Sequence, residues 1–472
     1  MALKYFGTDG IRGKVGEGEL FTKQFIRKVA NAVAQYVMGS KDNGDNNKLR
    51  CVVGCDTRES SQWIVDTITD VMSEHDIKVF SVGVVPTAAL SYLAKHYGAD
   101  LGIMITASHN PHEWNGIKLF NANGKKLEDS ELEKIERCLE STQEEFSFSP
   151  AEEKSTATYD KELQGIEKRR SLFLSSASKE NSSCACKQPW VDFLITNFSH
   201  LKLYSSKQKP YIILDCANGS GGDIAVSVLR SLGFRVRTIN NSPDGKNINE
   251  KCGATNTKSL QDAVRKSRAR SVIGFAFDGD ADRCVCVTKQ GEVAGERILG
   301  ALAICMGLDR FASTILFNSG AEKFLSGRGI QVIKTKVGDR HVLQAVHEHD
   351  LSLGGEPNGH IVFPHINING DGLIVVLMVL QIMIESGLGL DELTQNIPVY
   401  PSFVLNIRAD SVGKEKIESE EFKAFLQEVE RENKDYKIIV RPSGTEDLVR
   451  ITVEGMEREK CESIAKSISG NL

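Results

Sequence analysis

The sequence predicts an α/β protein made of three similar α/β units followed by a smaller α+β unit. Strand-like apolar runs alternate with amphipathic segments of helical length through most of the chain. This alternation restarts near residue 211 and again near residue 301. After about Pro401 the pattern changes to strands and helices without the regular alternation.

In the first unit, residues 51–54, 79–82 and 101–105 read as strands, with helices at 59–75 and 87–97. The second unit has strands at 211–215, 235–239 and 272–277, and helices near 224–232 and 260–266. The third begins near Ala301 and includes strand-like stretches at 314–317 and 331–335 and an apolar helix at 373–386. The tail reads as a strand at 403–407, a helix at 420–431, strands at 436–440 and 449–452, and a helix around 460–469. Residues 171–187 are rich in Ser, Lys and Cys with no clean period, which predicts a linker or inserted loop. The expected domains are 1–155, 156–292, 293–398 and 399–472.

Composition narrows the function classes. A chain of 472 residues exceeds what one hydrophobic core supports, so several domains are required. Lys and Arg number 58 against 63 Asp and Glu, a net charge of −5 with no basic excess to suit nucleic acid. The first residues hold no apolar run of signal-peptide length. The longest apolar stretch, 373–384, is interrupted by Gln381 and is too short to span a bilayer. No membrane partner and a cytoplasmic location are the expectations. The eleven scattered cysteines fit free thiols in a reducing compartment. Cys184-x-Cys186 and Cys284-x-Cys286 lack the second pair or histidine that zinc needs.

The strongest local signal is Asp278-Gly279-Asp280-Ala281-Asp282-Arg283, directly after a strand. Three carboxylates at alternate positions of an extended loop would face one side and repel one another without a cation. Hard oxygen ligands favour Mg²⁺ or Ca²⁺, but an EF-hand fails, since its sixth position would be Arg283 and its twelfth Lys289. Three carboxylates leave coordination positions open, which suits Mg²⁺ completed by water or a phosphate oxygen.

Thr106-Ala107-Ser108-His109-Asn110-Pro111 also follows a strand, where open α/β sheets place their ligands. A Ser108 nucleophile of hydrolase type is poorly supported. No Gly-x-Ser-x-Gly elbow surrounds it, and the adjacent His109 is expected to point elsewhere. A phosphate-carrying serine beside a metal explains more. Lys118, in Asn115-Gly116-Ile117-Lys118, suits acid–base work if burial or positive neighbours lower its pKa. The turn from Gly7 to Gly13 carries Arg12, which can fork onto a phosphate. Gly354-Gly355-Glu356-Pro357-Asn358-Gly359-His360 offers acceptors and donors for sugar hydroxyls or an amino group. Arg441-Pro442-Ser443-Gly444-Thr445-Glu446, with Arg450, has the makings of a phosphate cradle.

Taken together, and in this order, the motifs resemble the α-D-phosphohexomutase superfamily over nearly the whole chain. The opening Lys4 to Gly13, Asp244 to Asn249 and Cys252 to Thr255 are most similar to the bacterial phosphoglucosamine mutases. The resemblance implies mixed sheets in the three α/β domains, set with the smaller domain around a central cleft. It implies an intramolecular phosphotransferase that interconverts glucosamine 6-phosphate and glucosamine 1-phosphate. A phosphoserine at Ser108 and a bisphosphate intermediate would carry the reaction, which feeds UDP-N-acetylglucosamine and cell-wall precursor synthesis. Asp278, Asp280, Asp282 and the phosphoserine would bind Mg²⁺. Arg12, Lys118, His109 and Arg283 would make up the catalytic set, with Lys118 as general acid/base. Glu356, Asn358 and His360 would contact the sugar, and Arg441, Ser443, Gly444, Thr445 and Arg450 the phosphate not being transferred. The family's habit implies a monomer or homodimer.

Two departures keep alternatives open. Glu-x-Asn-Gly-His is similar to the acetylglucosamine mutases, and Thr106 is a form more typical of phosphomannomutases and phosphoglucomutases. The alternatives are a phosphomannomutase/phosphoglucomutase of broader specificity and, from another class, a non-catalytic sugar-phosphate-binding protein. Residues 168–189 have no counterpart in the resemblance, and no function is drawn from them.

Overall fold

The computed structural model of the chain describes residues 3–7, 9–40, 48–141, 179–408, 416–442 and 448–471. Four sheets organise it. The first has the order β1 (Ile11–Lys14), β5 (Trp114–Asn121), β4 (Leu101–Ile105), β2 (Arg50–Cys55), β3 (Lys78–Val84). The second runs β10 (Gly291–Glu292), β9 (Cys284–Thr288), β8 (Val272–Phe277), β6 (Tyr211–Asp215), β7 (Arg235–Ile239). The third runs β12 (Gln331–Thr335), β11 (Arg310–Thr314), β13 (Gly354–Gly355), β14 (Ile361–Val362). The fourth, β15 (Ser402–Arg408), β17 (Leu448–Glu454), β16 (Lys437–Pro442), is wholly antiparallel.

One plan recurs in the first three sheets. Three parallel strands lie side by side, and the chain then turns back into an antiparallel neighbour: β4 into β5, β8 into β9, β13 into β14. The connections at these reversals carry Ser108, the three aspartates, and Glu356 to His360 respectively. Three motifs far apart in sequence therefore occupy the same place in three copies of one topology. Parallel strands are covered on both faces, which is why β2, β4 and β8 read as unbroken apolar runs.

Helices cover the sheets. In chain order they are α1 (Lys23–Gly39), α2 (Glu59–Glu74), α3 (Thr87–His96), α4 (Asp129–Ser141), α5 (Lys179–Asn197), α6 (Gly222–Ser231), α7 (Lys258–Lys266), α8 (Gly295–Cys305), α9 (Ser319–Ser326), α10 (Asp339–Glu348), α11 (Gly372–Ser386), α12 (Leu390–Thr394), α13 (Glu420–Glu432) and α14 (Arg458–Ser469). One core runs from Leu90 and Leu93 of α3 through Trp190 and Leu194 of α5 and Leu229 of α6 to α11. Helix α11 is buried on nearly all sides, which accounts for its uniformly apolar sequence. Asp371 caps it by accepting from the N–H groups of Leu373 and Ile374, and Gly387 ends it with φ 71°. Among the described residues no helix is long and apolar enough to cross a membrane.

The structure corrects three expectations. The expected linker at 171–187 is helical from Lys179, as part of α5, while 171–178 lies outside the described residues. Burial of Trp190, Leu194 and Phe198 in the shared core outweighs the poor local pattern and the internal Pro189. The stretch 314–317 is not a strand: β11 ends at Thr314, and the chain turns so that Phe317 N–H donates to Thr314 O at 2.9 Å. The aspartate loop is not extended, because Ala281 has φ 54° and its N–H donates to Asp278 O at 3.1 Å. Helices α1 and α4 and strands β5 and β9 went unread in the sequence.

Candidate active site

The site forms where the reversals of the first two sheets meet. Ser108 is fully buried, with φ 52°. Its Oγ donates to Asp278 Oδ2 at 2.7 Å and lies 3.3 Å from His109 Nδ1. The left-handed residue breaks the alternation of side chains, so His109 faces the serine rather than pointing elsewhere. Burial, with Arg283 and Arg12 nearby, lowers the His109 pKa to about 3, leaving the ring neutral.

Asp278, Asp280 and Asp282 are buried, and each offers an oxygen within 4.8 Å of the others'. Asp280 Oδ1 and Asp282 Oδ1 are buried with no hydrogen-bond partner. Three hard oxygen donors, two of them orphaned, are what a divalent cation requires, so this cluster can hold a metal ion. Burial, followed by repulsion from Asp282 and Asp280, holds the Asp278 carboxyl well above the usual carboxylate range. Asp282 is held well below that range: burial opposes its charge, but Lys118, His360 and Arg283 overcome this.

Lys118 lies within β5. Its Nζ is 2.9 Å from Asp9 and from Asp280, and 3.2 Å from Asp282. Burial disfavours its charge, but Asp280, Asp9 and Asp282 prevail and hold the ammonium well above its ordinary pKa. A lowered pKa was the sequence-based condition for acid–base work. The shift is in the opposite direction, so the side chain is held here as an ammonium that pairs with these carboxylates. Arg12, in β1, reaches Asp9 at 2.5 Å and Asn110 Oδ1 at 3.0 Å. Arg283 Nε lies 3.8 Å from Asp282 and 4.0 Å from Asp278.

The third reversal adjoins this cluster. His360 Nδ1 is 3.8 Å from Asp282 Oδ1, and His360 Nε2 is 3.9 Å from Asp339 Oδ2. Asn358 Nδ2 donates to Glu356 at 3.4 Å, and Asn358 Oδ1 accepts from His360 N–H at 3.0 Å. Arg441 and Arg450 are cross-strand partners in β16 and β17. Burial and Arg450 lower the Arg441 pKa, as expected of two cations set side by side. Ser443, Gly444 and Thr445 lie outside the described residues.

Several members escaped the sequence reading. Asp9 joins Arg12, Lys118 and Lys126, and Lys126 in turn pairs with Asp339 across the cluster. Thr87, the first residue of α3, donates from Oγ1 to Asp280 Oδ2 at 2.6 Å. Asp56 and Arg58 form a fully buried pair at 2.8 Å behind the Ser108 turn. They follow a strand's carboxyl end, as the recognised motifs do, and that signal was available. Single residues such as Lys126 and Thr87 carried none.

Comparison with known proteins bears on this arrangement. Phosphoglucomutase/phosphomannomutase family models match in order: α/β/α domain I at 3–146, domain II at 188–291, domain III at 295–400 and the C-terminal domain at 405–470. The chain belongs to the phosphohexomutase family. It is 34% identical over 468 residues to a phosphoglucosamine mutase of Deinococcus deserti, covering 99% of this chain and 97% of that one. It is 35% identical over 480 residues to a phosphoglucosamine mutase of Histophilus somni, covering 99% of each. A family protein from Burkholderia thailandensis shares the fold, with TM-score 0.72 at 20% identity and 98% and 95% coverage. So does an Aspergillus fumigatus N-acetylphosphoglucosamine mutase solved with GlcNAc-6P and magnesium, with TM-score 0.63 at 19% identity and 99% and 95% coverage. As a phosphohexomutase, the protein is an isomerase that relocates a phosphoryl group within its substrate.

Proposed function

We propose that this phosphohexomutase interconverts glucosamine 6-phosphate and glucosamine 1-phosphate, with phospho-Ser108 as the carrier. The observation that carries the reading is Ser108 Oγ, 2.7 Å from Asp278 inside a buried triple-aspartate cluster capped by Lys118. The amino-sugar preference is supported by full-length relatives named phosphoglucosamine mutases.

In the forward step, O1 of the sugar attacks the phosphorus on Ser108. The P–Oγ bond breaks, a P–O1 bond forms, and the O1 proton ends on the freed Ser108 Oγ. The resulting bisphosphate turns around, and Ser108 takes the phosphoryl group from O6. Mg²⁺ held by Asp278, Asp280 and Asp282 would neutralise charge on the transferring phosphoryl group. The neutral His109 has a ring nitrogen able to accept a proton close to Oγ, and the Lys118 ammonium stabilises developing charge. Arg12 and Arg283 add positive charge at the same place. Glu356, Asn358 and His360 orient the sugar, while Arg441, Arg450 and the 443–445 stretch grip the distal phosphate. Burial of Ser108 protects its phosphate from water.

The test is turnover on the phosphates of glucosamine, N-acetylglucosamine, glucose and mannose, with intact-mass detection of phosphate on Ser108. Preference for glucosamine phosphate is expected, with loss of turnover by orders of magnitude in Ser108→Ala. Near-normal turnover of Ser108→Ala would sink the carrier role. Preference for another sugar would replace the substrate, and binding without turnover would replace the enzyme.

A further inference from the structure

Ser108 keeps a left-handed backbone, a conformation disfavoured for a residue with a Cβ. Such strain persists only where the surroundings impose it. Here the carbonyls of Ser108 and Asn110 each accept two hydrogen bonds from the same two side chains. Arg58 Nη2 donates to them at 3.1 and 2.9 Å, and Asn249 Nδ2 at 2.9 and 3.2 Å.

The rest of Arg58 is committed to the same turn. Nε donates to Asp56 Oδ2 at 2.8 Å, while Nη1 donates to Trp114 O at 3.0 Å and to Pro111 O. All five guanidinium N–H groups are therefore used, four on the backbone of one loop. Arg58 stands at the N-cap of α2, a position suited to Ser, Thr, Asp or Asn, and its side chain makes no cap bond there. Asp56 Oδ2 also accepts from Thr106 Oγ1 at 2.7 Å, and Thr106 Oγ1 accepts from Ser108 N–H at 2.9 Å. Asn249 reaches over from the segment before α7, in the unit that bears the three aspartates. Its own φ of 58° is one asparagine tolerates, and its Oδ1 is buried without a partner. The NH₂ end alone explains an amide there.

We propose that Arg58 and Asn249 are positioning residues, one from each of the two sheet units, that hold the Ser108 turn in register with the aspartate cluster. The proposal rests on Ser108 being the phosphoryl carrier. Release of either clamp lets the turn relax toward ordinary backbone angles and moves Oγ away from the cluster. A misplacement of about 1 Å costs roughly 100-fold in rate.

The test uses the full chain and whichever sugar phosphate it turns over best. Asn249→Gly removes the amide yet keeps the left-handed backbone accessible, and Arg58→Lys keeps a cation beside Asp56 without the fork. For each, kcat is expected to fall about 10- to 100-fold, with KM within about threefold and the Mg²⁺-induced rise in Tm retained. If Arg58→Lys fails to fold, Asn249→Gly decides, since Asn249 itself is partly exposed. A fall in Tm with unchanged kcat, or a rise in KM alone, overturns the proposal, since a purely structural residue behaves so. Ser108→Ala is measured in parallel. If it is inactive while Asn249→Gly is wild-type, the clamp is wrong and the carrier stands; if it is active, the carrier reading fails and the clamp with it.

Discussion

Replacing Gly219 by alanine tests whether the position of the aspartate loop sets the rate. Gly219 lies outside the left-handed region, so alanine brings no backbone penalty and acts through its methyl group alone. That Cβ would fall 2.3 Å from Gly279 O and 2.8 Å from Gly279 Cα. Ordinary carbon contacts begin near 3.5 Å, so Gly279 must move by about 1 Å. It has little room, because on another side a Cβ on Gly279 would meet Ser108 O at 2.6 Å. Its neighbours in sequence are Asp278 and Asp280, so the displacement carries two carboxylates with it. We expect kcat to fall about 100-fold and stability by about 1–3 kcal/mol. Steady-state turnover and urea melts measure these, with Gly327→Ala as control, since its Cβ meets nothing closer than 3.5 Å. A Gly219→Ala enzyme with wild-type kcat would refute the reasoning, whatever its stability.

Other outcomes follow from the same geometry. Trp190→Ala removes a fully buried ring centred 4.9 Å from that of Tyr92, and should cost about 3–5 kcal/mol in urea melts; a change below 1 kcal/mol would mean α5 does not share the core. Mg²⁺ should raise the Tm, by about 2.7 kcal/mol of stabilisation at a hundred times Kd. Asp278→Asn should stabilise the metal-free protein, by removing a repelled carboxylate, while abolishing the Mg²⁺ shift; the opposite pattern would contradict a cation site there. Burial raises the Asp371 pKa to about 7 from 3.8, so the folded state holds its proton more tightly than the unfolded chain. That contribution is full below pH 3.8 and is lost as pH rises through 7. Asp371→Asn keeps the cap acceptor, so in metal-free protein it should gain up to about 4 kcal/mol over wild type at pH 8 and almost nothing at pH 4. An equal difference at both pH values would exclude Asp371 as the titrating group.

Much of the architecture was legible because parallel strands buried on both faces leave unbroken apolar runs. The runs at Leu101–Ile105, Tyr211–Asp215 and Val272–Phe277 show it. The polar motifs that end two of them stand out for the same reason. Antiparallel β5 and β9 went unread, since each returns directly from a motif with no helix to separate it. Helix α5 was hidden because its N-terminal half lacks apolar periodicity, and its buried anchors, Trp190, Val191 and Leu194, are confined to the second half.

By itself the sequence determined the chemistry on offer: a serine, three aspartates, a lysine and several arginines, in loops at the ends of predicted strands. These are local properties, set by residue type and short-range spacing. The tertiary structure alone decided how those groups act on one another. Asp9, Asp280 and Asp282 surround Lys118 and raise its pKa, opposite to the shift on which acid–base work was made conditional. Arg58 and Asn249, separated by nearly two hundred positions, close on the same two carbonyls. Charge coupling and hydrogen bonding depend on distance in space, and no spacing along the chain records that.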